Sequence, residues 1–264
     1  RFTKSETHLG IGGNWNASLR ASDRQIVAFL FQDDLWSRDY LKSAVEALNE
    51  QPAAGCVSLE HTYKGEEGMV YIALYEAVRS FRKKNIRSGL HSGKELLRFW
   101  ITHELHPNII GEPSFVVMRR AVMEQAGKFL TDMPQFLDTE YWLRLLTLTD
   151  WIHLNDRDYG MFRVHAGGAS ALNQEAGKGL YDRLRCFERL IGSLQGELRS
   201  AAVQARNRAV EKMITKFFDR VGSGEKASPK GSGTLVKFCL RHPVVIGMGI
   251  WRYILTRMTE KSTL

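Results

Sequence analysis

Apolar positions in this chain follow two alternating periods. Ile26-Val-Ala-Phe-Leu-Phe31 is an unbroken apolar run, which predicts a fully buried strand. The run stops at Gln32, so Asp33 and Asp34 emerge at the strand's C-terminal edge, where open α/β sheets collect ligands. Ser37 then predicts a helix N-cap, and Leu41, Ala44, Val45 and Leu48 form an apolar stripe at helical spacing that Pro52 ends. Cys56–Leu59 reads as the next strand, 61–67 as a polar loop, and Val70–Phe81 as a helix. Arg82–Gly93, basic and glycine-containing, reads as a mobile excursion before a short helix at Glu95–Trp100.

Further along, Ser114–Met118 predicts a buried strand, followed by a short helix that ends at Gly127. A helix runs from Asp138 to about Leu148, and Trp151–Leu154 and Tyr159–Val164 are short strands. Strands and helices in alternation predict an α/β fold with helices flanking a sheet. Beyond Glu175 the pattern is helical, through Leu180–Leu194 and Leu198–Arg220. Gly222–Gly233 has linker composition, and Pro243–Met258 is apolar with Arg252 and Arg257 inserted, too short to span a bilayer.

Charge divides the chain in two. Residues 176–264 carry 17 Lys and Arg against 7 Asp and Glu, a net of +10, whereas the rest is 20 against 22, a net of −2. A basic tail on a mildly acidic body suggests two functional parts, the tail suited to acidic lipid, nucleic acid or an acidic partner. Cys56, Cys186 and Cys239 are too widely spaced for a disulfide framework or a metal cluster, which fits a reducing compartment. The chain starts at Arg1 with sequence that reads as mid-domain, the expectation being that a longer protein precedes it.

The candidate chemistry begins with the acid pair. Adjacent carboxylates repel unless a cation lies beside them, and hard oxygen ligands suit Mg²⁺ or Mn²⁺ bound together with substrate phosphates. His103-Glu-Leu-His106 fails the zinc-protease geometry, because its histidines are three apart and Pro107 follows. Gly10-Ile-Gly-Gly13 lacks nucleotide-loop spacing and reads as a flexible lead-in to Asn14 and Asn16. Glu140 and Arg144 are spaced for a structural i,i+4 bridge.

Asn14-Trp-Asn16, Gln32-Asp-Asp-Leu35, Ile110-Gly-Glu-Pro-Ser114, Asp138-Thr-Glu-Tyr-Trp-Leu-Arg144 and Phe162-Arg-Val-His165, in that order, resemble family 2 glycosyltransferases of the GT-A fold. The resemblance covers residues 1 to about 172, with 173–221 as a helical extension, 222–233 as a linker and 234–264 as a basic amphipathic segment. It implies an inverting enzyme that moves a sugar from a nucleoside diphosphate sugar to an acceptor hydroxyl, with Mg²⁺ or Mn²⁺ on the diphosphate. By the same resemblance Asp33, Asp34 and His165 hold the metal, Asn14, Asn16, Gln32 and Arg163 the donor, and Asp138 is the general base. Gly111, Glu112, Ser114 and Trp142 line the acceptor pocket, although for Trp142, as for Trp151, core packing is the preferred reading over stacking on a sugar ring. Phe31 stands where the family commonly has a further Asp, and the family's first strand and crossover should precede Arg1.

Two rivals remain at this level. One is a non-catalytic carbohydrate-binding or assembly protein that keeps the fold; the other is a metal-dependent phosphoryl-transfer enzyme, which lacks a Walker-type loop. No nucleic-acid-binding module is recognisable. The resemblance implies a cytoplasmic enzyme of polysaccharide or cell-envelope synthesis acting on a glycan or lipid-linked acceptor. The C-terminal segment either docks as a helix on the protein's own core, the preferred expectation, or forms an interfacial helix that would bring the enzyme to the inner face of the membrane.

Overall fold

The apolar run after Pro52 lies at the centre of the molecule. In the computed structural model, which describes residues 4–65, 70–176, 178–179, 181–222 and 239–261, β3 (Ala54–Leu59) is buried at every position. It pairs antiparallel with β6 (Val116–Arg119) and parallel with β7 (Asp150–Leu154). Two antiparallel edge strands, β1 (Ile26–Ala28) beside β6 and β5 (Gly89–His91) beside β7, complete a five-stranded mixed sheet. A second sheet has β8 (Gly160–Val164) in its middle, antiparallel to β2 (Leu35–Trp36) and parallel to β4 (Thr62–Gly65).

Helices cover the large sheet. One side is sealed by α2 (Tyr40–Glu50), which buries Tyr40, Ala44 and Leu48 at a spacing of four. The other holds α4 (Gly93–Thr102) and α6 (Leu137–Leu146), with Trp100 and Trp142 wholly buried. Gly93 permits close approach here: a Cβ would stand 2.0 Å from the Thr149 carbonyl oxygen. α8 (Asp182–Ser193) and α9 (Gly196–Gly222) join this same core through Phe187, Leu190, Ala202 and Ala205. α10 (Pro243–Lys261) lies along α9, with Tyr253 stacked on Phe218 at 4.9 Å.

Several expectations change. β1 is three residues long and half-buried, because it is an edge strand; Phe31 leaves the ladder to stack on Trp15 at 5.4 Å. The glycine-rich lead-in is helix α1 (Gly10–Ala21), and Gly12 lets it press on the Leu130 carbonyl, 2.1 Å from where a Cβ would sit. α2 begins at Tyr40 rather than Ser37, which turns Leu41 outward and seats Tyr40 in its place. The 61–67 loop is β4 as far as Gly65, with 66–69 outside the described residues. The basic excursion begins inside α3 (Val70–Asn85), where Arg82 is buried, and continues into β5. Of Ser114–Met118 only the end is strand, since Pro113–Phe115 forms a 3₁₀ turn. α5 (Arg120–Ala126) stops at Gly127, as expected, with φ at +79°. The linker composition beyond Gly222 lies outside the described residues up to 238.

Candidate active site

The turn between β1 and β2 sends its two aspartates to different partners. Asp33 Oδ2 lies 2.7 Å from Nε2 of His165, the residue after β8, and the two side chains are 30% and 34% exposed. The β2–β8 pairing brings these residues together across 132 positions of chain. Asp34 is buried, and both of its oxygens accept from the protein: Oδ2 from Ser114 Oγ at 2.5 Å and Oδ1 from Arg163 N at 3.3 Å. Burial pushes its carboxyl up to about 6 against the pull of those hydrogen bonds, and the charges of Asp33 and Glu112 add to the rise.

Ser114 holds this turn. Besides Asp34 it binds Phe31 N at Oγ, and its carbonyl accepts from Trp36 Nε1 at 2.7 Å and Tyr40 Oη at 3.0 Å. It is wholly buried, which corrects its assignment to the acceptor surface. Trp142 is likewise wholly buried, edge-on to Trp151 at 5.7 Å, with its indole N–H donating to the Gly111 carbonyl. It therefore supports the loop from beneath and presents no face to a sugar. Asn16 is buried with its amide tied on both sides to Phe129, by Nδ2 to the carbonyl and Oδ1 to the N–H, each at 2.9 Å. That locks α1 to the body and corrects a donor role. Asn14, Gln32 and Arg163 are exposed.

Asp138 stands in the first turn of α6, partly exposed. Its Oδ1 accepts from Thr139 N at 2.7 Å and its Oδ2 from Asn108 Nδ2 at 3.1 Å. Burial raises its carboxyl to about 7, the negative charge of Glu112 adds to the rise, and these hydrogen bonds oppose it. Glu112 acts on both Asp34 and Asp138, so the three carboxyls share one neighbourhood. Tyr75 of α3, within reach of the charges of Glu112 and Asp138 and hydrogen-bonded to Ser170, crosses toward α7 (Ala169–Glu175).

Glu112 belongs to a buried network that motif reading missed. His61 Nε2 lies 2.7 Å from Glu112 Oε2, and Tyr63 Oη donates to the same oxygen at 3.1 Å. Behind them Arg82 donates to Tyr63 Oη at 3.1 Å and to Glu60 Oε1 at 2.6 Å. Burial opposes ionisation of Glu112, but the His61 hydrogen bond and the positive charge of Arg82 win, and its carboxyl stays below the ordinary glutamate value. The signal available in the sequence was the period-two spacing of His61 and Tyr63, which puts both on one face of a strand. Glu140 is absorbed elsewhere, as an ion pair with Arg144 and with Arg189, each at 2.8 Å.

A divalent cation would find few protein ligands. Among the described residues no cluster of three or more His, Cys, Asp or Glu side chains is arranged to hold a metal ion. Asp33 still offers one carboxylate, with His165 beside it, to a cation of the Mg²⁺ type, which is commonly held by one or two carboxylates plus water and substrate phosphates.

Comparison with known proteins bears on the fold and on the first part of the chain. Residues 1–106 match the family model for glycosyl transferase family 2. The matched stretch contains the acid turn, β3 and the strand beside His61, while Glu112, Asp138 and His165 lie beyond it. A curated relative, the uncharacterized protein MT1568 of Mycobacterium tuberculosis (strain CDC 1551 / Oshkosh), is 29% identical over 149 residues, 55% of this chain and 44% of its own length. The structure of S. aureus TarS 1-349 in complex with UDP-GlcNAc superposes with a TM-score of 0.54 at 17% identity, over 87% of this chain and 60% of that one. A second structure of S. aureus TarS 1-349 gives the same TM-score at 15% identity, over 88% of this chain and 60% of that one. The fold is thus the GT-A glycosyltransferase fold, on a chain spanning less than half of the curated relative it matches.

Proposed function

We propose that this chain is the catalytic part of an inverting glycosyltransferase, moving a sugar from a nucleoside diphosphate sugar to an acceptor hydroxyl. The observation that carries this reading is the Asp33–His165 contact, which joins the acid turn of the family 2 stretch to the end of β8. The UDP-GlcNAc bound to TarS supports a donor of that class. Asp33 and His165 would hold Mg²⁺ or Mn²⁺, which when bound supplies positive charge for the departing diphosphate. Arg163, Gln32 and Asn14 are exposed and would be free to bind the donor. Asp34, enclosed by Ser114 and the Arg163 backbone, orients Asp33 rather than binding the metal itself. Asp138 takes the proton of the attacking hydroxyl, and its raised pKa suits a base that works near neutrality. Glu112, fixed by His61 and Tyr63 on the Gly111 turn, accepts from neighbouring acceptor hydroxyls.

Two substitutions in the full chain test this, with UDP-GlcNAc and Mn²⁺ as probes. Asp33→Ala should abolish Mn²⁺-dependent binding of the nucleotide sugar in calorimetry. Asp138→Asn should leave that binding near normal while lowering UDP release roughly a hundredfold or more. Unchanged Mn²⁺ and donor binding in Asp33→Ala, or near wild-type turnover in Asp138→Asn, refutes the corresponding role.

A peripheral membrane location is supported by one face of α10. Ile246, Ile250 and Tyr253 pack inward, whereas Val244, Met248, Trp251, Leu255 and Met258 are exposed at alternating spacings of four and three. No described helix is long and apolar enough to cross a membrane. An exposed apolar stripe with a Trp, on a basic segment, has the makeup of an interfacial helix. It would bring a cytoplasmic enzyme to a lipid-linked acceptor at the inner face of the membrane.

A further inference from the structure

The loop leading from α4 to the Glu112 turn is shaped around one side chain. Asn108 Oδ1 accepts from Ile110 N and Gly111 N, each at 3.1 Å. Its Nδ2 donates to the Gly111 carbonyl at 3.2 Å and to Asp138 Oδ2 at 3.1 Å. Three of these bonds close the loop on itself, and the fourth crosses to α6. An Asn amide has two N–H donors and an oxygen with two acceptor sites, so all four are used. With Thr139 N on Oδ1, both oxygens of Asp138 are held and the plane of its carboxylate is set.

We propose that Asn108 is a positioning residue for Asp138: its N–H fixes the carboxylate plane and supplies the side-chain hydrogen bond that favours the proton-accepting form of Asp138. This rests on the reading of Asp138 as general base. The groups facing Asp138 are Glu112 from its turn, Tyr75 from α3 and Cys186 from α8, besides Asn108 itself. Burial and Glu112 push the carboxyl towards its neutral form, while the bonds from Thr139 and Asn108 favour the charged one. Thr139 contributes a backbone N–H that every residue there would supply, so Asn108 is the adjustable partner. The same side chain sets the Gly111 turn, which couples the orientation of the base to that of Glu112.

The test is a carboxyl-carbon NMR titration of the full chain labelled at aspartate, with the Asp138 signal assigned by its loss in Asp138→Asn. Asn108→Asp keeps oxygen acceptors for Ile110 N and Gly111 N but replaces the donor facing Asp138 with a second acid. Its pair with Asp138 should titrate as a unit whose upper apparent pKa lies at least about one unit above the wild-type midpoint. Asn108→Ala should raise the midpoint, through the loss of a hydrogen bond to the charged form. The acidic limb of UDP release from UDP-GlcNAc with Mn²⁺ should move upward with it. A protein that is only structurally loosened would lose turnover at all pH values without moving that limb. If Asn108→Ala unfolds, Asn108→Asp carries the test. An Asp138 midpoint unmoved in the folded variants, with Asp138→Asn inactive, overturns the proposal alone. Near wild-type turnover in Asp138→Asn removes the base reading and the proposal with it.

Discussion

Replacing Asp138 by Asn should remove the activity and flatten the pH dependence of the protein's stability. Asp138 has a folded carboxyl near 7 against 3.8 for an unperturbed aspartate. Below pH 3.8 both folded and unfolded states are protonated, and the group contributes nothing to pH dependence. Between 3.8 and 7 the unfolded chain ionises while the folded one retains its proton, so stability falls as pH rises. The slope is about 1.4 kcal/mol per pH unit, and the penalty is constant above pH 7. At pH 5 the penalty has run for little more than one unit, and by pH 8 for about three, a further loss of about 2.5 kcal/mol at most. Asp138 keeps some contact with solvent, so a working value is about half of that. Asn keeps the size of the side chain and an oxygen for Thr139 N but cannot ionise. Its NH₂ then faces the Asn108 N–H, a cost that is the same at every pH, so the stability of Asp138→Asn relative to wild type should rise by roughly 1–2.5 kcal/mol between pH 5 and pH 8. Urea unfolding of both proteins at the two pH values measures it, with no substrate needed. A difference independent of pH would show that Asp138 is not held near neutrality and would undo the argument for its tuning as a base.

Other expectations follow from the buried network and the C-terminal helix. Arg82→Met leaves Glu60 buried without its close partner and should cost roughly 3–5 kcal/mol in urea unfolding; a loss under about 1 kcal/mol would mean that Arg79, 3.8 Å from Glu60, or water takes over. Trp251→Ser should weaken flotation of the full chain with anionic vesicles, and wild-type binding should weaken as salt rises. Absence of flotation for the wild type would remove the membrane reading of α10.

The acid turn, the strand at 54–59 and helices α3, α4, α6 and α9 were legible because each is announced locally. An apolar run, a 3.6-residue stripe or a glycine stop reports on its own neighbourhood within one or two turns. The same local signals place Asp138 at a helix start and Asp33 after a strand. They did not separate the roles of Asp33 and Asp34, adjacent acids that differ because Ser114, 80 residues away, closes over one of them. Nor did they show that Ser114, Trp142 and Asn16 face inward, since a hydroxyl, an indole and an amide suit a sugar as well as a buried backbone group. The stretch 61–65 reads as loop because its residues are polar; it becomes a strand because β8 offers a parallel ladder and Arg82 neutralises Glu60. Burying Arg82 is favourable only once Glu60 and Tyr63 surround it, and no window of sequence contains all three. Propensity and period belong to neighbours in the chain, whereas desolvation and hydrogen-bond partners belong to neighbours in space, and it was the second kind that set the chemistry of Asp33, Asp34, Glu112 and Asp138.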